Sequence, residues 1–350
     1  MGNLGSFDQS YVDKLRLHPS IGWALAQIAE ARGLQEVWRR TKPEVIAKLR
    51  ESALVQSSES SNRIEGVEIE RNRLVPLILG AAKPKDRPEE EIVGYKNALK
   101  WIHSAHHKIK ITPGTVKKLH KLAQGGLISD AGQWKSRNNE IIEFSEGGDR
   151  RVRFKCTPAS ETPQAMEKLC EAYSDLHEKR ALPDLLAIAN LILDFLCIHP
   201  FRDGNGRVSR LLTLLCLYQH GYEIGRFISL ERIIENTKED YYRTLGESSV
   251  GWHSSTHDLF PWWSYFLGHL RVGYQELKDR VDFKSGDSKT ALIRGIVQEM
   301  DGPFSVSDIL KLQAGLDREI VKKTLAQLKQ EKIIQLTGKG RGAKWRLLRK

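Results

Sequence analysis

The sequence predicts a mainly α protein: a helical body with one inserted β-hairpin, followed by a small C-terminal winged helix-turn-helix domain. Three observations carry this. Apolar residues recur at helical spacing through most of the 350 residues. Within the helical body only the stretch 138–157 reads as strand, turn, strand. After a break at 281–288 that loses periodicity and gains Gly and Ser, the pattern restarts as helix, short strand, helix, helix, hairpin.

In chain order, residues 43–61 carry Val45, Ile46, Leu49, Ala53 and Leu54 at helical spacing, with Pro43 suited to a first turn. Residues 89–103 set Ile92, Val93, Tyr95, Ala98, Leu99 and Ile102 on one side. Helical patterns follow at 115–123, 163–180 and 184–198; the last is apolar on nearly all faces, which predicts a buried central helix. Residues 208–220 are similarly apolar, and Gly221 fits a helix stop. Patterns at 238–248 and 258–277 complete the body. The hairpin, turned at Gly147-Gly148, is too small to be a core sheet and reads as a flap. In the last segment a helix over 317–332 carries Arg318, Lys322 and Lys323 near its start, and Lys339 and Arg341 mark the wing tip.

Hydrophobic residues make up 40% and charged residues 28% of the chain, which fits a soluble globular protein. No apolar run is long enough to span a bilayer, and the first twenty residues lack a secretory pattern, so no membrane partner is expected. Cys156, Cys170, Cys197 and Cys216 are scattered, which favours buried thiols in a reducing cytoplasm. From residue 288 onward, fourteen basic residues face six acidic ones, so this segment holds +8 of the net +11. One basic module on a nearly neutral body points to a polyanion such as DNA as the partner of 289–350.

The most informative stretch is His199-Pro200-Phe201-Arg202-Asp203-Gly204-Asn205-Gly206-Arg207-Val208-Ser209-Arg210. His199 titrates near neutrality and can take a proton from an attacking hydroxyl. Asp203 offers a hard oxygen suited to Mg²⁺ held between phosphates. Gly204-Asn205-Gly206 can bring backbone N–H groups close to a phosphate. The helix expected to open at Val208 would present its N-terminus to that anion. Arg207 and Arg210 can clamp phosphate oxygens with forked donors.

This stretch resembles the HxFx(D/E)GNGRxxR signature of Fic-domain proteins at every specified position. The likeness extends over roughly 43–277 and includes Glu91-Ile92-Val93-Gly94-Tyr95, Gly132-Gln133-Trp134-Lys135 (where the family more often has Arg at the last position) and Gly251-Trp252-His253. It implies an all-helical Fic core and a protein adenylyltransferase, which transfers AMP from ATP to a Tyr, Thr or Ser hydroxyl and releases pyrophosphate. His199 would be the general base and Asp203 the Mg²⁺ ligand. Asn205 and nearby backbone donors would bind the α-phosphate, Arg207 the γ-phosphate, and Arg210 would support the site. Ile141 and Ile142 of the flap would register the target segment, and Tyr241, Tyr242 and Ser249 would line the adenine side. Ser61-Asn62-Arg63-Ile64-Glu65-Gly66 fits the family's inhibitory motif (S/T)xxxE(G/N), which implies a brake in which Glu65 withholds Arg207 from the γ-phosphate. The chain then divides into an N-terminal helical region (1–110, inhibitory helix 43–66), a catalytic core (111–280, flap 138–157), a linker (281–288) and the winged-helix domain (289–350). Other readings stay open: a DNA-binding regulator with the Fic core as sensor, transfer of UMP, phosphocholine or a bare phosphate, and removal of AMP. Target, oligomeric state and the trigger that frees Glu65 are not legible.

Overall fold

The computed structural model describes residues 5–125, 129–144, 150–282, 287–300, 302–313, 316–338 and 343–348. It forms two compact units, Met1–Val281 and Asp282–Lys350. The larger is helical: α1 (Gln9–Val12), α2 (Pro19–Thr41), α3 (Pro43–Ile64), α4 (Arg71–Leu79), α5 (Arg87–Ala105) and α6 (Pro113–Ala123) precede a hairpin of β1 (Glu140–Phe144) and β2 (Arg150–Lys155). Then come α7 (Thr162–Lys179), α8 (Asp184–Ile198), α9 (Asn205–Gln219), α10 (Leu230–Asn236), α11 (Lys238–Ser249) and α12 (Phe260–Asp282).

The apolar saturation of 184–198 has the expected consequence. In α8 every residue from Leu185 to Phe195 is buried, and α8 packs between α7 and α9. α9 also meets α5 and α6, and α3 meets α5 and α10. One contiguous core runs through these helices. A fully buried Leu, Ile or Phe contributes roughly 1.5–3 kcal/mol, so the paired helices that carry the motif are anchored along their whole length. β1 and β2 are antiparallel, with Ile141 opposite Phe154 and Ile142 opposite Val152 across a bulge. They form a two-stranded sheet, so among the described residues the outer edge of β1 has no strand partner. The Gly147-Gly148 turn lies outside the described residues.

Two boundaries differ from expectation. α9 opens at Asn205, not Val208, because Gly204 takes a left-handed φ of 79° and caps the helix there. The described residues of the 281–288 linker are helical: Val281 and Asp282 end α12 and Asp287 and Ser288 open α13, with 283–286 outside the described residues.

The smaller unit has α13 (Asp287–Gln298), α14 (Val306–Leu312), α15 (Arg318–Gln330) and an antiparallel hairpin of β3 (Ile334–Thr337) and β4 (Lys344–Leu347), with Phe304 bridging to Trp345. Ile293, Val297, Phe304, Ile309, Val321, Leu325, Leu328 and Ile334 make its own core. Ser305 and Asp308 close a reciprocal capping box on α14. Arg318, Lys322, Lys323, Lys344 and Arg346 are exposed, while Lys339 and Arg341 lie outside the described residues. No described helix is long and apolar enough to cross a membrane.

Candidate active site at the α8–α9 turn

His199 caps α8 in a left-handed conformation (φ 51°, ψ 61°), with its N–H bonded to the carbonyl of Phe195 at 2.9 Å. A non-glycine residue there carries strain that the surroundings must hold. They do so through four consecutive carbonyls. Lys135 donates its Nζ to Ile198 and its backbone N–H to Pro200, each at 2.9 Å. Asn139 donates Nδ2 to His199 at 3.3 Å and to Phe201 at 3.1 Å, and accepts from Lys135 Nζ at 2.7 Å. Beneath the turn, the buried Phe201 ring stacks on His120 at 3.8 Å. His120 accepts from the Gly132 N–H at Nδ1, which leaves Nε2–H to donate to the Asp203 carbonyl at 3.0 Å. Asn139 and His120 were not singled out from the sequence; their roles depend on spatial approach of residues 60 to 83 positions away.

The imidazole of His199 directs Nδ1 to the carbonyl of Leu196 at 3.2 Å. A carbonyl only accepts, so Nδ1 carries the proton and Nε2 presents a lone pair. Burial disfavours the imidazolium and lowers its pKa to about 4, with Lys135 adding to the effect. His199 is therefore neutral at physiological pH, the form a general base requires.

Three expected roles are corrected. Asn205 does not aim its amide outward: Oδ1 accepts from the Phe201 N–H and Nδ2 donates to the Phe201 carbonyl, both at 2.9 Å. These bonds engage Oδ1 and one of the two Nδ2 protons, so the side chain staples the turn. Tyr241 is buried among Tyr242, Trp262 and Tyr265, and Ser249, also buried, bonds to Gly246 of its own helix at 2.8 Å. Neither is open to a base; Tyr242 alone of the three keeps partial exposure.

The third correction concerns the brake. Arg207 is only 2% exposed and pairs with Glu91 at 2.9 Å, with further contacts to Gln124 and Asn62 at 3.2 and 3.4 Å. Glu65 pairs instead with Arg210 at 2.8 Å. Arg210 also donates Nε to the Ser61 hydroxyl and Nη2 to the Ser61 carbonyl, each at 2.8 Å. Ser61 and Glu65, one turn apart on α3, thus hold one guanidinium together. Burial opposes the charge on Arg210, but Glu65 together with Tyr95 and Tyr241 holds the pKa above its ordinary value.

Gly206 explains the geometry. A Cβ there would lie 2.1 Å from Glu65 Oε1 and 3.2 Å from Arg210 Nη1. Arg210 Nη1 is buried without an acceptor. The Glu65 carboxylate therefore sits on the first turn of α9, where free N–H groups and the helix dipole favour an anion. Asp203 stands at the rim, 55% exposed, with Oδ1 accepting from the Gly204 N–H at 2.6 Å and Oδ2 3.4 Å from Arg87. Its half-exposed carboxylate fits a hard divalent cation that takes its remaining ligands from phosphate and water. Ile141 is partly buried and Ile142 38% exposed on β1.

Residues 110–217, which contain this whole turn, match the Fic/DOC family. The chain carries a Fic/DOC family domain. It is similar to a Fic family protein from Desulfovibrio desulfuricans G20, at 24% identity and a TM-score of 0.61, over 96% of this chain and 98% of that one. That likeness bears on the fold alone. Among curated relatives, it is 26% identical over 219 residues to the protein adenylyltransferase fic-1 of Caenorhabditis elegans, covering 58% of this chain and 37% of that protein. It is 27% identical over 195 residues to a ribonucleoside-diphosphate reductase small chain of Ostreid herpesvirus 1, covering 52% of this chain and 31% of that protein. The chain thus spans about a third of the length of these curated relatives.

Proposed function

We propose that the Fic domain transfers AMP from ATP to a Tyr, Thr or Ser hydroxyl of target proteins, and that Glu65 keeps it at low activity. The carrying observation is the Glu65 carboxylate seated against Gly206 and bonded to Arg210. The protein fills its own anion seat with its own anion, beside a neutral histidine.

In the reaction, the target hydroxyl oxygen attacks the α-phosphorus as its proton passes to His199 Nε2. The bond from the α-phosphorus to the bridging oxygen breaks and pyrophosphate leaves. The first-turn N–H groups of α9 and the Arg210 guanidinium, once free of Glu65, stabilise charge on the phosphate oxygens. Arg207, pinned by Glu91, fixes the back of the site. Asp203 would hold Mg²⁺, which would supply charge neutralisation to the phosphates. The open edge of β1, at Ile141 and Ile142, aligns the target segment as an added strand. The similarity to fic-1 supports adenylyl as the group transferred.

Incubating a Glu65→Gly protein with lysate and ATP labelled at the α or the γ position tests this. Label from the α position enters protein above the level of lysate alone, label from the γ position does not rise above what the lysate's own kinases incorporate, and adding His199→Ala abolishes the added transfer. A His199-dependent rise in γ label overturns the assignment. The exposed basic side chains of 282–350 favour DNA as a second partner, through a winged-helix arrangement that brings the enzyme to nucleic acid.

A further inference from the structure

Far from the motif, three helix ends bring together two imidazoles and a carboxylate. His177 lies in the last turn of α7, Asp184 opens α8, and His220 caps α9. His177 Nδ1 is 3.3 Å from Asp184 Oδ1, and His220 Nδ1 is 3.2 Å from Asp184 Oδ2. The rings meet edge to face with centroids 4.6 Å apart. All three donor atoms lie within 4.8 Å of one another, and among the described residues this is the cluster with metal-ligating composition and spacing.

We propose that His177, Asp184 and His220 form a binding site for one divalent transition-metal ion of the zinc class, which staples the ends of α7, α8 and α9. Zinc–nitrogen and zinc–oxygen bonds of roughly 2.0–2.1 Å put tetrahedral ligands about 3.3 Å apart, which is the spacing seen between each imidazole and the carboxylate. Two imidazoles with one carboxylate suit zinc or its neighbours, whereas magnesium and calcium prefer oxygen alone. The site also has an outer support. The Tyr173 hydroxyl meets His220 Nε2 at 3.2 Å and fixes which nitrogen faces the carboxylate. His220 is 9% exposed, while His177 and Asp184 are about half-exposed, which leaves an entry path and room for water as the remaining ligand. The C-terminal carbonyls of α7 and α9 add partial negative charge. The nearby Arg32 opposes a cation, but it is tied to the His220 carbonyl at 3.0 Å and lies over the Tyr222 ring.

The role follows from position. Asp184 is the first residue of α8 and His199 follows its last, so the 15-residue helix separates the ion from the motif by about 22 Å. The ion touches no reacting atom. It holds the far ends of the helix pair whose near ends make the catalytic turn. A site without metal would instead be a plain hydrogen-bonded His–Asp–His contact.

The test uses the full chain, stripped with a chelator and titrated with Zn²⁺, with bound metal and melting temperature as readouts. One equivalent binds, and at about 100-fold excess over Kd the melting temperature rises by roughly 5 °C. Both the uptake and the shift disappear in His177→Gln and in Asp184→Asn, and Mg²⁺ reproduces neither. Because the readout is the metal-induced change, a lower baseline stability in either variant leaves it interpretable. Absence of uptake overturns the proposal. So does an unchanged shift in both variants, which would place binding at other histidines such as His103, His106 and His107.

Discussion

At the scale of single residues, the members of the motif were legible but their partnerships were not. His199, Asp203 and the two arginines announce themselves by residue type and spacing. Which arginine meets Glu65 depends on how the last turn of α3 lies across α9, and on Glu91 of α5 having already taken Arg207. Asn205 misled for a related reason: an amide in a glycine-flanked turn can face outward or inward, and here Phe201 claims it from within. Asn205→Ala leaves the Phe201 N–H unpaired and its carbonyl with Asn139 alone, and costs about 1–3 kcal/mol; urea unfolding with an unchanged m-value checks it. Protonation gives a second residue-scale prediction. Burial depresses His199, His120, His257 and His269 to about 4 and His103 to about 3. The unfolded chain then binds protons near pH 6.5 that the folded chain refuses. Their contribution is intact above pH 6.5 and is lost progressively as pH falls toward 4. Asp194, raised to about 7 by burial despite bonds from Ser6 and Trp252, acts in the opposite sense, favouring the folded state at low pH and losing that benefit as pH rises through 7. Five histidines against one aspartate predict a net fall in stability from pH 6.5 to 4, read by thermal melts; a flat profile would contradict the buried neutral imidazoles.

Among the elements, those with dense apolar faces were readable. α8 and α5 follow directly from their periodicity. α2 was not read, because Gly22, Gly33 and nine polar residues dilute its stripe; its buried residues Ile21, Ala24, Ile28, Gln35 and Trp38 become a face only against the body. The early start of α9 was hidden by the glycines, which look like loop but cap and begin a helix. That shift matters for chemistry, since it makes Asn205, Gly206 and Arg207 the first turn and puts the anion seat on a helix N-terminus. The two strands of the hairpin were legible, and the edge of β1 that has no strand partner among the described residues gives the element-scale prediction. Ile142→Pro lowers labelling of lysate targets at least about tenfold, by disturbing strand addition at β1. Calorimetric ATP affinity stays unchanged; a loss of ATP binding instead would place the hairpin in the nucleotide site.

For the whole molecule, the charge imbalance was legible from composition alone, and the basic side chains of α15 and β4 are exposed. The DNA reading predicts that the full-length protein binds duplex DNA with log K falling against log salt at a slope of about −3 to −5, and that a chain ending at residue 281 loses that binding. A salt-independent association would point to a protein partner. The larger consequence is control. α3 belongs to the N-terminal region, yet its last turn reaches the seat that the Fic domain builds at α9. Releasing Glu65 should also leave Arg210 under-paired, so Glu65→Gly is less stable by about 1–3 kcal/mol without nucleotide. The most direct measurement is the initial rate of self-labelling with α-labelled ATP, compared between the natural chain and Glu65→Gly. The account predicts a rate at least about tenfold higher once the carboxylate is gone, reflecting roughly 1.4 kcal/mol or more of restored transition-state binding. Equal rates would mean that Glu65 does not hold the seat shut.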